Sequence, residues 1–295
     1  MARLSAVDLL PDVFEVEDQG ALGSCTANAG LSALELMYKR AGDPQDFSRL
    51  YLYYWERANM GLHGDTGADP VQITRVLAER GVCLEATWPY DPALLDVPPS
   101  AAAEAEAGQY RIHGAEFIQL AVADLDTIIE RIRASLCAGI PVLQTSLILR
   151  DFMALKDQKD WRTQRFSMTT SEMNVPLGSH ETLIIGYDDS VQMFLCQNSW
   201  GPDWGDGGFF GVPYAYMGNA WISQLWFLTD AGVRAIAVPD PAPAPIPAPS
   251  PVIVTPEPVI PQPQPLHSTA PDEARKLLTI VAVVGLLALA AMVLL

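Results

Sequence analysis

Apolar residues recur at helical spacing in three stretches of the chain. The first begins near Ser24 or Cys25, carries Leu31, Leu34 and Tyr38 on one face, and stops after Lys39 and Arg40 at Gly42. The second opens with Asp69 as a cap and Pro70 in its first turn, presents Ile73, Val76 and Leu77, and ends at Gly81. A third starts at about Asp124 and aligns Leu125, Ile128, Ile129, Ile132 and Leu136 on one side. The aromatic run "LYLYYWERA" reads as the core-packed face of a further helix. Beyond Gly139 the pattern shortens to β-type runs: "IPVLQTSLI", "ETLIIGYDD", "QMFLCQNSW" and "GGFFGV". Helices first and strands later predict an α+β arrangement, with a helical lobe over about 20–108 and a β lobe over about 109–235.

The pattern changes again at the end of the chain. Between Pro239 and Pro271, 13 of 33 residues are proline. Alternating prolines block both helix and ladder, so this stretch reads as an extended linker, with a reach on the order of 100 Å. From Leu277 to Leu295 comes an uncharged apolar run of 19 residues, preceded by Arg275 and Lys276. Its length suits a membrane-spanning helix, and the flanking cations place the preceding 1–238 domain on the cytoplasmic side. The expectation is a single-pass protein held by its C-terminus.

Composition narrows the partners. The formal net charge is −17, and residues before Pro239 hold 31 acids against 16 bases. Such a surface repels nucleic acid, and no basic patch interleaved with aromatics offsets it. The four cysteines (Cys25, Cys83, Cys137 and Cys196) form no C-x-x-C pair. That spacing argues against zinc and against a disulfide framework, and it suits a reducing compartment. Cys83, Cys137 and Cys196 read as small buried apolar residues. The acidic clusters "DLDTIIE" and "YDDS" read as caps and turns, since neither spaces oxygen ligands as a calcium loop does. No metal or cofactor is implied. The first 20 residues lack the apolar core of a secretory signal.

Cys25 is the candidate for chemistry. A thiol attacks as its thiolate, so it needs an adjacent base and benefits from a helix N-terminus. Of four histidines, His63 falls in a glycine-rich loop, His113 at a strand start and His267 in the linker. His180 enters a strand, and 18 residues later Asn198 ends another. A turn near Asp188 and Asp189 would pair those strands, letting Asn198 accept from the imidazole Nδ1–H and fix the ring.

"QGALGSC", "GSHETLIIGYDD" and "NSWGPDWGDGGFF" together resemble the papain-like cysteine peptidases, as do "GVCLEATWPY" and "AGIPVLQTSL"; the likeness spans roughly residues 12–230. The resemblance implies a helical left domain and a β-barrel-like right domain with the site between them. It assigns Cys25 as nucleophile, His180 as general base and acid, Asn198 as the orienting residue and Gln19 as the side-chain donor of the oxyanion hole. It also implies a thiolate–imidazolium pair and polypeptide substrates. Gly67, Ser179, Glu181 and Trp200 would line the substrate cleft, with Trp200 covering the His–Asn bond. Three positions depart from the pattern. Thr26 stands where many relatives have tryptophan, and Leu22 where they have a bridged cysteine. Glu181 stands where a small residue usually lines the main specificity pocket; turned inward it would favour a Lys or Arg side chain, and otherwise it faces solvent or pairs internally. With Cys25 only 24 residues after Met1, the expectation is a domain without the inhibitory N-terminal segment of many relatives. The leading expectation is a membrane-tethered endopeptidase; the alternatives are an acyl transferase with the same Cys–His pair and a peptide-binding protein without turnover.

Overall fold

The computed structural model describes residues 4–120, 123–218 and 222–232. The proline-rich stretch and the 277–295 run lie outside the described residues. The chain divides into a unit over residues 1–240 and a second over 241–295. Among the described residues no helix is long and apolar enough to cross a membrane.

Among the described residues of the first unit are five α-helices and seven strands. Helix α1 runs Cys25–Arg40, α2 Arg49–Asn59, α3 Val71–Glu79, α4 Ala101–Ala107 and α5 Leu125–Cys137. The strands are β1 Ala6–Asp8, β2 Gly114–Gln119, β3 Val142–Leu149, β4 Pro176–Asp188, β5 Met193–Gln197, β6 Phe209–Pro213 and β7 Ile222–Asp230. The three helices with clear amphipathic spacing form where the sequence predicts them. Two of them start at side-chain acceptors: Asp124 Oδ1 takes the Thr127 N–H at 2.9 Å before α5, and Asp69 Oδ1 takes the Val71 N–H at 3.0 Å before α3.

Helix α1 is buried nearly all round, with Ala27, Leu31, Ala33 and Leu36 fully enclosed. It packs against α2, α3 and β4. Gly30 permits the close approach of α3, because a Cβ there would lie 2.6 Å from Ile73 Cγ2. Leu50, Tyr51, Leu52 and Tyr53 of α2 are likewise enclosed, as the aromatic run predicts.

All strand pairings are antiparallel, in the order β2-β7-β3-β4-β5-β6, and β1 adds to β4. The path is open, with β2 and β6 at its ends, so the barrel-like expectation resolves into an antiparallel sheet. The first strand in the sequence thus joins the sheet through Ala6↔Asp188, across the division expected from sequence order. The 13-residue β4 is the sheet's long member: it pairs β3 along its first part and β5 and β1 along its last. His180 lies in the first part, opposite Ser146 of β3.

The cysteines are all free. Cys83 and Cys196 are buried as expected, but Cys137 is exposed. It ends α5, where the helical turn sends Leu136 into the core and the next residue outward.

Candidate active site

Cys25 opens α1, behind Gly23 and a Ser24 whose hydroxyl pairs with Tyr90 at 2.7 Å. The helix N-terminus supplies unpaired N–H groups around the thiol. The thiol lies against the backbone N–H of Glu181, the residue after His180, where helix α1 packs on strand β4. Cys25 is half-buried. Surrounding protein pushes its thiol up to about 12, with the Glu181 and Glu56 carboxyls adding to the rise and the Glu181 and Thr26 N–H groups opposing it.

His180 is buried, and its Nε2 is 2.7 Å from Asn198 Oδ1. The same Oδ1 accepts the Ser199 N–H at 2.9 Å, which fixes the amide's orientation. The ring therefore donates from Nε2 and keeps its lone pair on Nδ1. This corrects the sequence expectation, which gave Nδ1 to Asn198. Strand pairing Leu183↔Gln197 does bring the two residues side by side, but spacing alone cannot say which ring nitrogen points across. Trp200 stacks on the imidazole at 4.8 Å and 27°, and is itself held edge-on by Trp204 at 5.3 Å and Phe152 at 5.7 Å. Burial lowers His180 to about 4, partly offset by the Asn198 bond. Each shift disfavours the charged form of its own group.

Gln19 is tied to the same segment. Its N–H bonds the Ser199 carbonyl at 2.9 Å, and its Oε1 accepts the Ser199 hydroxyl at 2.7 Å. One N–H of Nε2 goes to the Leu22 carbonyl at 2.8 Å, which leaves the second N–H uncommitted. Leu22 is packed into the apolar core.

Glu181 is 1% exposed, which removes the solvent-facing option, and one of its oxygens meets the internal-pairing one. Its Oε2 accepts the Thr145 hydroxyl at 2.6 Å from the facing position on β3, while Oε1 has no partner. Burial, with a further push from Asp69, raises it to about 8. A second buried acid, Glu56 of α2, was not visible in the sequence. Its Oε2 accepts the Thr26 hydroxyl at 2.7 Å, its Oε1 is also unpartnered, and burial lifts it to about 8 with Glu181 and Asp69 contributing. Thr26 in place of an indole was its only signal. Ser179 is exposed at the mouth of β4. Gly67, at φ +71°, reaches the approach to Cys25, but its N–H bonds the Tyr53 hydroxyl at 3.0 Å and its carbonyl accepts from Thr66 at 3.1 Å.

The papain family cysteine protease profile matches residues 6–224 of the chain. A peptidase C1-like protein of Acanthamoeba polyphaga mimivirus is 30% identical over 237 residues, covering 77% of this chain and 73% of the viral protein. A cathepsin B-like protein of Giardia intestinalis is 26% identical over 202 residues, 66% of this chain and 63% of its own length. Among solved structures, xylellain, a cysteine protease from Xylella fastidiosa, superposes at a TM-score of 0.67 with 30% identity, over 78% of this chain and 87% of that one. A Carica candamarcensis cysteine protease in complex with E-64 shares the fold at a TM-score of 0.56 and 20% identity, over 77% of this chain and 99% of that one. The chain belongs to the papain family of cysteine proteases, and is a hydrolase of that kind.

Proposed function

We propose that the protein is an endopeptidase that cleaves peptide bonds through a thioester on Cys25. Cys25 Sγ attacks the scissile carbonyl carbon while its proton passes to His180 Nδ1. The resulting oxyanion is met by the Cys25 N–H and the uncommitted N–H of Gln19. The intermediate collapses, and Nδ1 returns the proton to the departing amine. Water then attacks the thioester, gives a proton to Nδ1, and the carboxylic acid leaves as Sγ is reprotonated. The observation that carries this reading is the bond from His180 Nε2 to Asn198 Oδ1, which frees Nδ1 on the strand lying against Cys25. Incubating the purified protein with a mixed peptide library and sequencing the new termini by mass spectrometry tests it. Cleavage by the wild type and none by Cys25→Ala supports the reading; equal cleavage by both contradicts it.

Substrates with Lys or Arg beside the scissile residue are the preferred class, as Glu181 with its unpartnered Oε1 provides the acceptor. A substrate cation ionises Glu181 on binding, and the released proton makes affinity depend on pH. Below about pH 8 the carboxyl is protonated in the free enzyme, so KM for a basic peptide should fall by up to about tenfold per pH unit from pH 6 and level off above 8. KM for a neutral peptide should stay flat. Glu181→Gln should abolish the slope and the basic preference together; a slope retained in Glu181→Gln would sink this assignment.

The uncharged run 277–295 is proposed as the membrane anchor, with the proline-rich segment as spacer. Deleting residues 277–295 should move the protein from the carbonate-resistant membrane pellet to the supernatant, while the full chain stays in the pellet.

A further inference from the structure

The loop between α2 and α3 is fastened at two levels by residues one turn apart on α2. At its base, the fully buried Arg57 donates from Nη1 to the Gly64 carbonyl at 2.7 Å and to Asp96 Oδ1 at 2.8 Å. Asp96 in turn accepts the Gly64 N–H at 3.0 Å. At its tip, Asp65 Oδ1 accepts two bonds: from the Tyr53 hydroxyl at 2.7 Å and from the Gly23 N–H at 2.8 Å. The Tyr53 oxygen then accepts the Gly67 N–H at 3.0 Å. Gly23 lies two residues before Cys25, and the junction is tight. A Cβ on Gly23 would meet Asp65 Oδ1 at 3.2 Å and the Gly67 nitrogen at 3.5 Å. All four cysteines are free, so no covalent bond sets this spacing.

We propose that Asp65 is a positioning residue, whose carboxylate joins the 61–69 loop to the segment leading into Cys25 and so holds one wall of the cleft at a fixed distance from the nucleophile. A single oxygen receives both the Gly23 amide and, through Tyr53, the loop at Gly67. Removing it releases both ends at once. One oxygen that takes both bonds does this in the absence of a disulfide. The clasp shapes the wall against which an extended substrate lies, not the thiol itself. The role in catalysis therefore rests on the peptidase reading above.

Asp65→Ala and Asp65→Asn in the full chain test this. Asparagine keeps an acceptor oxygen at the same place. In Asp65→Ala, amide exchange at Gly23 and Gly67 should quicken by about tenfold or more, KM for a tetrapeptide substrate should rise by about tenfold, and kcat should stay within about threefold. The rate at which iodoacetamide alkylates Cys25 should not change, because the helix start is left in place. Asp65→Asn should recover most of the KM. Unchanged exchange, unchanged KM, or equal impairment of the two variants would overturn the proposal. So would a fall in alkylation, which reports a displaced nucleophile. If Asp65→Ala does not fold, Tyr53→Phe removes the shared hydroxyl and should quicken exchange at Gly67 with the same rise in KM. A wild type without turnover would overturn the peptidase reading instead, and exchange at Gly23 and Gly67 would still decide the clasp.

Discussion

His180→Ala is expected to lower kcat/KM on a peptide substrate by about 10⁵-fold at pH 7, a loss typical of removing the base of a nucleophile–base pair. The size follows from the nucleophile's surroundings. Burial raises the Cys25 thiol, so attack depends on a base that takes its proton. The only imidazole on the strand against Cys25 is His180, and Asn198 has already claimed its Nε2. Its lowered value, about 4, keeps Nδ1 unprotonated through the neutral range. On a neutral peptide, kcat/KM should therefore rise as pH climbs through about 4 and hold toward pH 7, since the base-competent form accumulates above that value. Stopped assays of kcat/KM across pH 3–8 check both statements. A residual activity within tenfold of wild type in His180→Ala would show that another group takes the proton.

The second large effect is expected at Gln19. Gln19→Ala should reduce kcat by about 10²–10³, with KM little changed, the signature of a donor used only when the oxyanion forms. Its amide is oriented before any substrate arrives: the Ser199 hydroxyl holds Oε1 and the Leu22 carbonyl holds one N–H, which aims the remaining donor. Preorganisation of this kind is what makes a donor effective in a water-poor site. It also assigns Ser199 a supporting part, because without that hydroxyl the amide is free to turn. Ser199→Ala should cost less than Gln19→Ala, about tenfold in kcat, and the double variant should lose no more than Gln19→Ala alone. Steady-state kinetics on the three variants would test this, and a large change confined to KM would contradict the oxyanion role.

Much of this site is legible in the sequence because its key residues sit in short motifs bound to element ends. Cys25 is marked by the helix that must start after Gly23, and Asn198 by the end of an apolar strand run. The three amphipathic helices and four strand runs were readable for the same reason. What escapes the sequence depends on separate elements meeting. β1 is three residues long and exists only through its pairing with Asp188 and its neighbours. Helix α4 is seven residues long, and its burial of Ala103 and Ala107 alone leaves little apolar stripe to detect. At the site, Glu56 and Glu181 lie far apart in the chain, and their coupling appears only when α2 and β4 flank Cys25. The Asp65 clasp joins residues 42 apart through one oxygen, a relation no local pattern encodes. The choice of Nε2 over Nδ1 is of the same kind, set by how a ring is approached rather than by which residues are present.

The most direct test of the account is to trap the acyl-enzyme. Mixing the full chain with an activated peptide ester, quenching in acid and mapping the adduct by peptide mass spectrometry should place one acyl group on Cys25. The adduct should be absent in Cys25→Ala and should form far more slowly in His180→Ala. An acyl group on Cys83, Cys137 or Cys196, or turnover of the ester by Cys25→Ala at the wild-type rate, would contradict the central claim.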